Sequence, residues 1–325
     1  MFEYYRSPIT TLYDDIVGSL SNSSLQMSKR LEELIESKRL SRRIVINAER
    51  LPIKFPEANM ETGEIHLQDA HIAYVWCIAY LLISIIVIND EKARLGYTVV
   101  NIGESTERDE LNRLIEWARS LSTLYSNWRC DIPKPTDNAH RILQANQVTT
   151  DALRYLIYHE VAHIANKHKS EADLVKKIKC EQYKPTEDEL SWLKQVETEA
   201  DNYAFDCLFL TEDSEEEKYL KMQGAIVAHL SNLYLQKDSD TRGFRHPDLD
   251  VRLYNLMGKV KFDNIVHDVY IKHTVNVGLQ LYFHIVEVPY IDHNGYDEFE
   301  EQTAALFNLI DQEKHKHTLR ETKNF

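Results

Sequence analysis

Apolar positions recur along the chain in two rhythms, and the change from one to the other divides it. Leu25, Leu31, Leu34 and Ile35, set among charges, predict an amphipathic helix over residues 25–40. Arg43-Ile44-Val45-Ile46-Asn47 and Leu51-Pro52-Ile53-Lys54-Phe55 read as short strands, and a turn at Thr62-Gly63 leads to a third at Glu64-Ile65-His66-Leu67. Ile72 to Ile88 is almost wholly apolar and predicts a buried helix, followed by a strand at Tyr97–Ile102. Leu111, Leu114, Ile115, Ala118, Leu121 and Tyr125 keep a helical period up to a break at Cys130–Pro135. After Thr150 the pattern is helical, with helices over about 150–168, 187–210, 217–235, 247–258, 264–287 and 297–315. The expected fold is α+β and predominantly α-helical. A small sheet at about 43–102 precedes metal-site helices at about 150–210 and C-terminal helices at about 217–315. Neither a repeat nor a low-complexity linker divides the chain, so residues 41–325 read as one domain and 1–40 as an N-terminal helical elaboration.

Composition narrows the function classes. An apolar fraction of 43% with only 9 Gly and 8 Pro in 325 residues describes a globular, helix-rich chain. A net charge of −14 removes nucleic acid as a main partner, because phosphate binding needs a basic footprint. Cys77, Cys130, Cys180 and Cys207 are widely spaced and form no CxxC pair, which argues against a disulfide framework or thiolate zinc site and fits a reducing cytoplasm. The N-terminus lacks a basic-then-apolar signal pattern. The apolar run at 72–88 is at the lower length limit for a membrane span. It contains Trp76, Cys77 and Ser84 and has acidic rather than basic flanks, so a core helix is the expectation.

The chemistry concentrates in His159-Glu160-Val161-Ala162-His163. Histidines four residues apart on a helix are about 40° apart around its axis and reach one ion together. Glu160, about 100° from His159, can touch water on that ion without binding it. This is the geometry of a zincin, in which zinc acidifies water and the glutamate takes the proton as general base. The motif lies in an apolar helix, where two histidines and a glutamate without a metal carry a heavy desolvation cost.

A catalytic zinc needs a third protein ligand and an open position. His168 lacks the glycine turn and spacing of a metzincin ligand; with Asn166 and Lys167 continuing the helix it faces away. The better source is Glu197-Thr198-Glu199-Ala200-Asp201, on a helix opened by a Thr186/Glu189 capping box. Glu197 and Asp201 fall on the stripe of Leu193, Val196, Ala200 and Ala204, whereas Glu199 faces outward. Glu197 is therefore the candidate third ligand, and Asp201 the carboxylate that accepts a ligand histidine's other N–H. In Arg245-His246-Pro247-Asp248-Leu249-Asp250-Val251-Arg252, Pro247 marks a helix start. Arg252 is a candidate anchor for Asp201. His246 reads equally as a donor to the oxyanion of a tetrahedral intermediate or as part of a helix cap.

The order HExxH, Glu-x-x-x-Asp, His-Pro-x-x-x-x-Arg resembles that of membrane-type gluzincin peptidases of the HtpX group, landing on His159, Glu160, His163, Glu197, Asp201, His246 and Arg252. This chain lacks their several transmembrane helices. Across roughly 65–260 it is more similar to the phage-exclusion Lit peptidases (peptidase U49), through Val75-Trp76-Cys77-Ile78-Ala79-Tyr80, Trp117-Ala118, Trp128, the Ile132-Pro133-Lys134-Pro135 break and the apolar HExxH helix. That resemblance implies a cytoplasmic zinc endopeptidase with one Zn2+ per chain, acting in bacterial anti-phage defence. It further implies a phage-derived protein as activator and elongation factor Tu as the type of protein substrate. The Tyr97–Ile102 strand is a candidate edge for pairing with substrate. A second enzyme reading is a regulatory peptidase resembling the ImmA/IrrE group, which cleaves repressors. The non-enzyme reading is a zinc-stabilised interaction module.

Overall fold

The computed structural model describes residues 7–18, 25–94, 106–179, 183–290 and 299–323. A 3-10 turn at Pro8–Leu12 leads into helices α1 (Tyr13–Val17) and α2 (Leu25–Glu36), then strands β1 (Ile44–Asn47), β2 (Glu57–Ala58) and β3 (Ile65–Gln68). Helices α3 (Asp69–Arg94), α4 (Thr106–Ser120), α5 (His140–Ala165), α6 (Lys169–Ile178) and α7 (Glu187–Leu208) follow. The last are α8 (Glu215–Leu233), α9 (Leu249–Met257), α10 (Ile265–Ile285) and α11 (Phe299–Lys323). The chain is α+β and mostly helical, as its pattern predicts.

The core is built on α5, which packs against α3, α7 and α8. Its approach to α8 depends on Gly224, where a Cβ would lie 2.6 Å from the Cβ of Asp151. α3 is the one described helix long and apolar enough to cross a membrane, yet 89% of its most apolar window is buried within the protein. It is a core helix. Its polar groups are tied to other elements: the Trp76 indole donates to Asn146 Oδ1 at 2.7 Å and the Tyr74 hydroxyl to the Ser231 carbonyl at 2.8 Å. Ile9, Leu12, Ile16, Leu31 and Leu34 join the same buried cluster from the N-terminal segment.

The sheet has the order β1-β3-β2, with β1 parallel and β2 antiparallel to β3. Gly63, at φ +69°, makes the turn into β3, and a Cβ there would meet the Arg39 carbonyl at 2.2 Å. Leu51–Phe55 is not a strand. The Ile53 N–H donates to the Leu121 carbonyl at 2.9 Å and the Lys54 N–H to the Gln68 side-chain Oε1 at 2.6 Å, so these groups join no backbone ladder. The second strand forms instead after Pro56, at Glu57–Ala58. The Tyr97–Ile102 expectation falls outside the described residues.

α5 begins ten residues before the expected start. Thr149 and Thr150 fit within it by bonding their hydroxyls back to the Ala145 and Asn146 carbonyls, at 2.6 and 3.0 Å. It also ends sooner: Asn166 and Lys167 do not continue it. Arg39 Nη2 donates to the Ile164 and Ala165 carbonyls, both at 2.6 Å. The His168 N–H returns to the His163 carbonyl at 2.9 Å, with Lys167 left-handed at φ +58°. The chain thus reverses into α6. At α9 the N-cap is Asp248, so Pro247 stands just ahead of the helix rather than at its first position.

Candidate active site

The last two turns of α5 present His159 and His163 on one face, both buried, with their Nε2 atoms 3.3 Å apart. α7 faces them. Its capping box forms as expected, with Thr186 Oγ1 accepting from the Glu189 N–H and the Glu189 carboxylate accepting from the Thr186 N–H. Starting there, the helix brings Glu197 and Asp201 inward and leaves Glu199 exposed. Glu197 Oε2 lies 3.3 Å from His159 Nε2. Asp201 Oδ1 lies 2.9 Å from His159 Nδ1 on the opposite side of the ring.

Asp201 is itself held from α9, where Arg252 donates Nε–H to Oδ2 at 2.7 Å and Nη2–H to Oδ1 at 2.6 Å. This forked bond fixes the carboxylate plane and, through it, the His159 ring. The Tyr155 hydroxyl donates to the Asp201 backbone carbonyl at 3.4 Å, and His229 Nε2 meets the same hydroxyl at 3.2 Å. Just before α9, His246 is half-exposed, with Nδ1 3.0 Å from Glu197 Oε2. The sequence offered an oxyanion donor or a cap; His246 stands beside Glu197, and Asp248 takes the N-cap of α9.

Two donor pairs, both through His159, have the spacing of zinc ligands. Two ligand atoms each about 2.0–2.1 Å from a tetrahedral ion lie about 3.3–3.4 Å apart. The His159–His163 nitrogen pair and the His159–Glu197 pair both show 3.3 Å. Donor atoms of His159, Glu160 and His163 also lie within 4.8 Å of one another, but Glu160 has a different tie. Its Oε2 accepts the Ala58 N–H of β2 at 2.8 Å, across 102 residues of sequence.

The charge states follow from these contacts. Burial disfavours a charged His159, but the bonds to Asp201 and Glu197 outweigh it and push its pKa up to about 10 in the metal-free site. Burial also works against His163, and Glu171 on α6 more than compensates. Glu197 and Asp201 are held well below the usual carboxylate range: burial opposes this, but His159 with His246 prevails at Glu197, and Arg252 with His159 at Asp201. Glu160 goes the other way, raised chiefly by burial although both histidines pull it down. Glu197 and Asp201 thus favour the charged form, whereas Glu160 is shifted towards taking up a proton.

Three residues escaped the sequence. Ala58 reaches Glu160 from a two-residue strand, Arg39 closes α5, and Glu171 sits against His163 Nδ1. Each depends on a contact of long range or on a helix end that no local pattern marks. His168 lies on the Nδ1 side of His163, away from the converging Nε2 atoms, because the chain reverses there and not because a continuing helix turns it outward.

No curated protein and no solved structure matches the chain. The family model for peptidase U49 matches residues 65–271, which contain every one of His159, Glu160, His163, Glu197, Asp201, His246 and Arg252. With that model spanning more than half its length, the chain belongs to the peptidase U49 family and is a peptidase.

Proposed function

We propose that this peptidase is a zinc-dependent endopeptidase whose single ion is held by His159, His163 and Glu197. The observation that carries the reading is the pair of 3.3 Å edges between buried donor atoms, with Asp201 and Arg252 fixing the ring they share. A zinc ion bound there would acidify a water and polarise the scissile carbonyl. Glu160, raised towards neutrality by burial, takes the proton from the attacking water and delivers it to the leaving amine. His246, at the half-exposed side of the cluster, donates to the oxygen on which charge develops. Asp201 and Arg252 keep the His159 Nδ1–H engaged so that its Nε2 lone pair faces the ion.

β2 is an edge strand beside α5, and its Ala58 N–H already points at Glu160. An extended substrate segment pairing along that edge would pass over the site. This favours a protein substrate. The resemblance to the phage-exclusion Lit peptidases carries the further proposal of a cytoplasmic role in anti-phage defence, with a phage-derived activator and an elongation factor Tu-type target. A zinc-stabilised module without turnover has no use for a half-buried, proton-accepting Glu160 beside the donors.

Glu160→Gln tests the reading. It should keep its zinc and lose about 10²–10⁴-fold in cleavage rate. New protein N-termini mapped in bacteria expressing wild type should be missing from the variant. Undiminished cleavage by Glu160→Gln would overturn the mechanism.

A further inference from the structure

The two histidines of the α5 motif are held from opposite sides of the site. His159 has Asp201 at its Nδ1, a partner that the spacing along α7 made legible. His163 has its own. Where Arg39 closes α5 and Lys167 turns left-handed, the chain doubles back, and the first turn of α6 delivers Glu171 to the same ring. Glu171 Oε2 lies 3.1 Å from His163 Nδ1, and its side chain is only 14% exposed. His168 Nδ1 stands 3.1 Å from the same nitrogen.

The geometry points to Glu171 as a positioning residue for the metal site: the carboxylate that accepts the Nδ1–H of His163 and so directs the Nε2 lone pair at the ion. This rests on the zinc reading above. The tautomers are then consistent throughout. His163 bound through Nε2 keeps its proton on Nδ1, which only an acceptor can meet. An ionised Glu171 accepts in any orientation. His168 accepts at Nδ1 only as the Nε2–H tautomer, which directs that N–H towards Glu199 Oε2, 3.7 Å away. Glu171 is therefore the principal partner and His168 the auxiliary one. Three separate elements, α7, α9 and α6, thus orient two ligand rings of one helix.

The same three groups, His163, His168 and Glu171, have donor atoms close enough to hold an ion of their own. His163 would then bridge two metals, which requires losing its Nδ1 proton as well. The positioning role needs no such step.

Zinc competition between the full-length metal-free protein and a chromophoric chelator decides the matter. Glu171→Ala should raise the zinc Kd about 10–100-fold, the usual effect of losing such a partner. Glu171→Gln, whose amide oxygen still accepts, should recover most of that loss. The metal-free variants should still unfold in a single cooperative transition, and the cobalt-substituted Glu171→Ala protein should show a shifted visible spectrum. A Glu171→Ala Kd within twofold of wild type overturns the inference while leaving the zinc reading intact. Two zinc ions in wild type and one in Glu171→Ala also overturns it, by making Glu171 a ligand. Wild type that takes up no zinc overturns the underlying reading and this inference with it.

Discussion

α3 and α5 are both 26 residues long, both buried along most of their length, and both carry buried histidines. His71 on α3 has no exposed surface and, among the described residues, no hydrogen-bond partner at either ring nitrogen; its ring packs T-shaped with Phe55. Burial alone holds its pKa down to about 4. His159 on α5 is nearly as buried, yet carboxylates at both nitrogens push its pKa up to about 10. A buried histidine is thus neutral packing in one helix and the centre of a charged cluster in the other. What separates them is the acidic face of α7, not burial.

The strongest way to break this contrast is to remove the cation beneath the α5 cluster. Arg252→Met leaves Asp201 as a buried charge without its forked partner, and should cost about 3–5 kcal/mol of stability in chemical denaturation of the metal-free protein. Arg252→Lys should recover little, because an ammonium cannot make both parallel bonds.

Acid should act next through His71. Its pKa is about 4 folded against 6.5 unfolded, so the native state binds fewer protons. The stability of keeping it neutral is complete above pH 6.5 and is lost as pH falls from there towards 4. The drop is about 3 kcal/mol for a difference of this size. Denaturation curves across that window should show it, and His71→Leu should flatten this part of the profile.

His159 has the opposite sign. In the metal-free protein its charged pairing contributes fully below pH 6.5 and is lost as pH rises through about 10. On the proposed zinc site, the ion has to displace that proton. Zinc affinity should therefore weaken by about tenfold for each pH unit below neutrality per proton released, which calorimetry in buffers of different ionisation enthalpy can read. The smallest effect should come from His71→Leu at pH 7. Removing an unpartnered polar ring is expected to leave stability unchanged or raise it by about 1 kcal/mol.

Much of this site was legible because helical phase is a local property. The stripe of Leu193, Val196, Ala200 and Ala204 fixed which face of α7 turns inward, and hence that Glu197 and Asp201 are buried while Glu199 is exposed. The long apolar run could be read as a core helix for the same reason. Helix ends and strand partners were less legible. α5 stops because Arg39 captures its last carbonyls from 125 and 126 residues away, so neither the reversal at Lys167 nor the approach of Glu171 leaves a mark in the adjacent sequence. The strand expected at Leu51–Phe55 has suitable residues, but its N–H groups bond to Leu121 and Gln68. The strand forms instead at two residues, Glu57 and Ala58, too few to show a pattern.

The central claim is that α5 and α7 together hold one catalytic ion, and metal analysis of gently purified protein tests it most directly. About one zinc per chain is expected in wild type and in Glu160→Gln, falling well below that in His163→Ala and Glu197→Ala. Zinc far below one per chain in wild type, or zinc content unchanged when His163 and Glu197 are replaced, would contradict it.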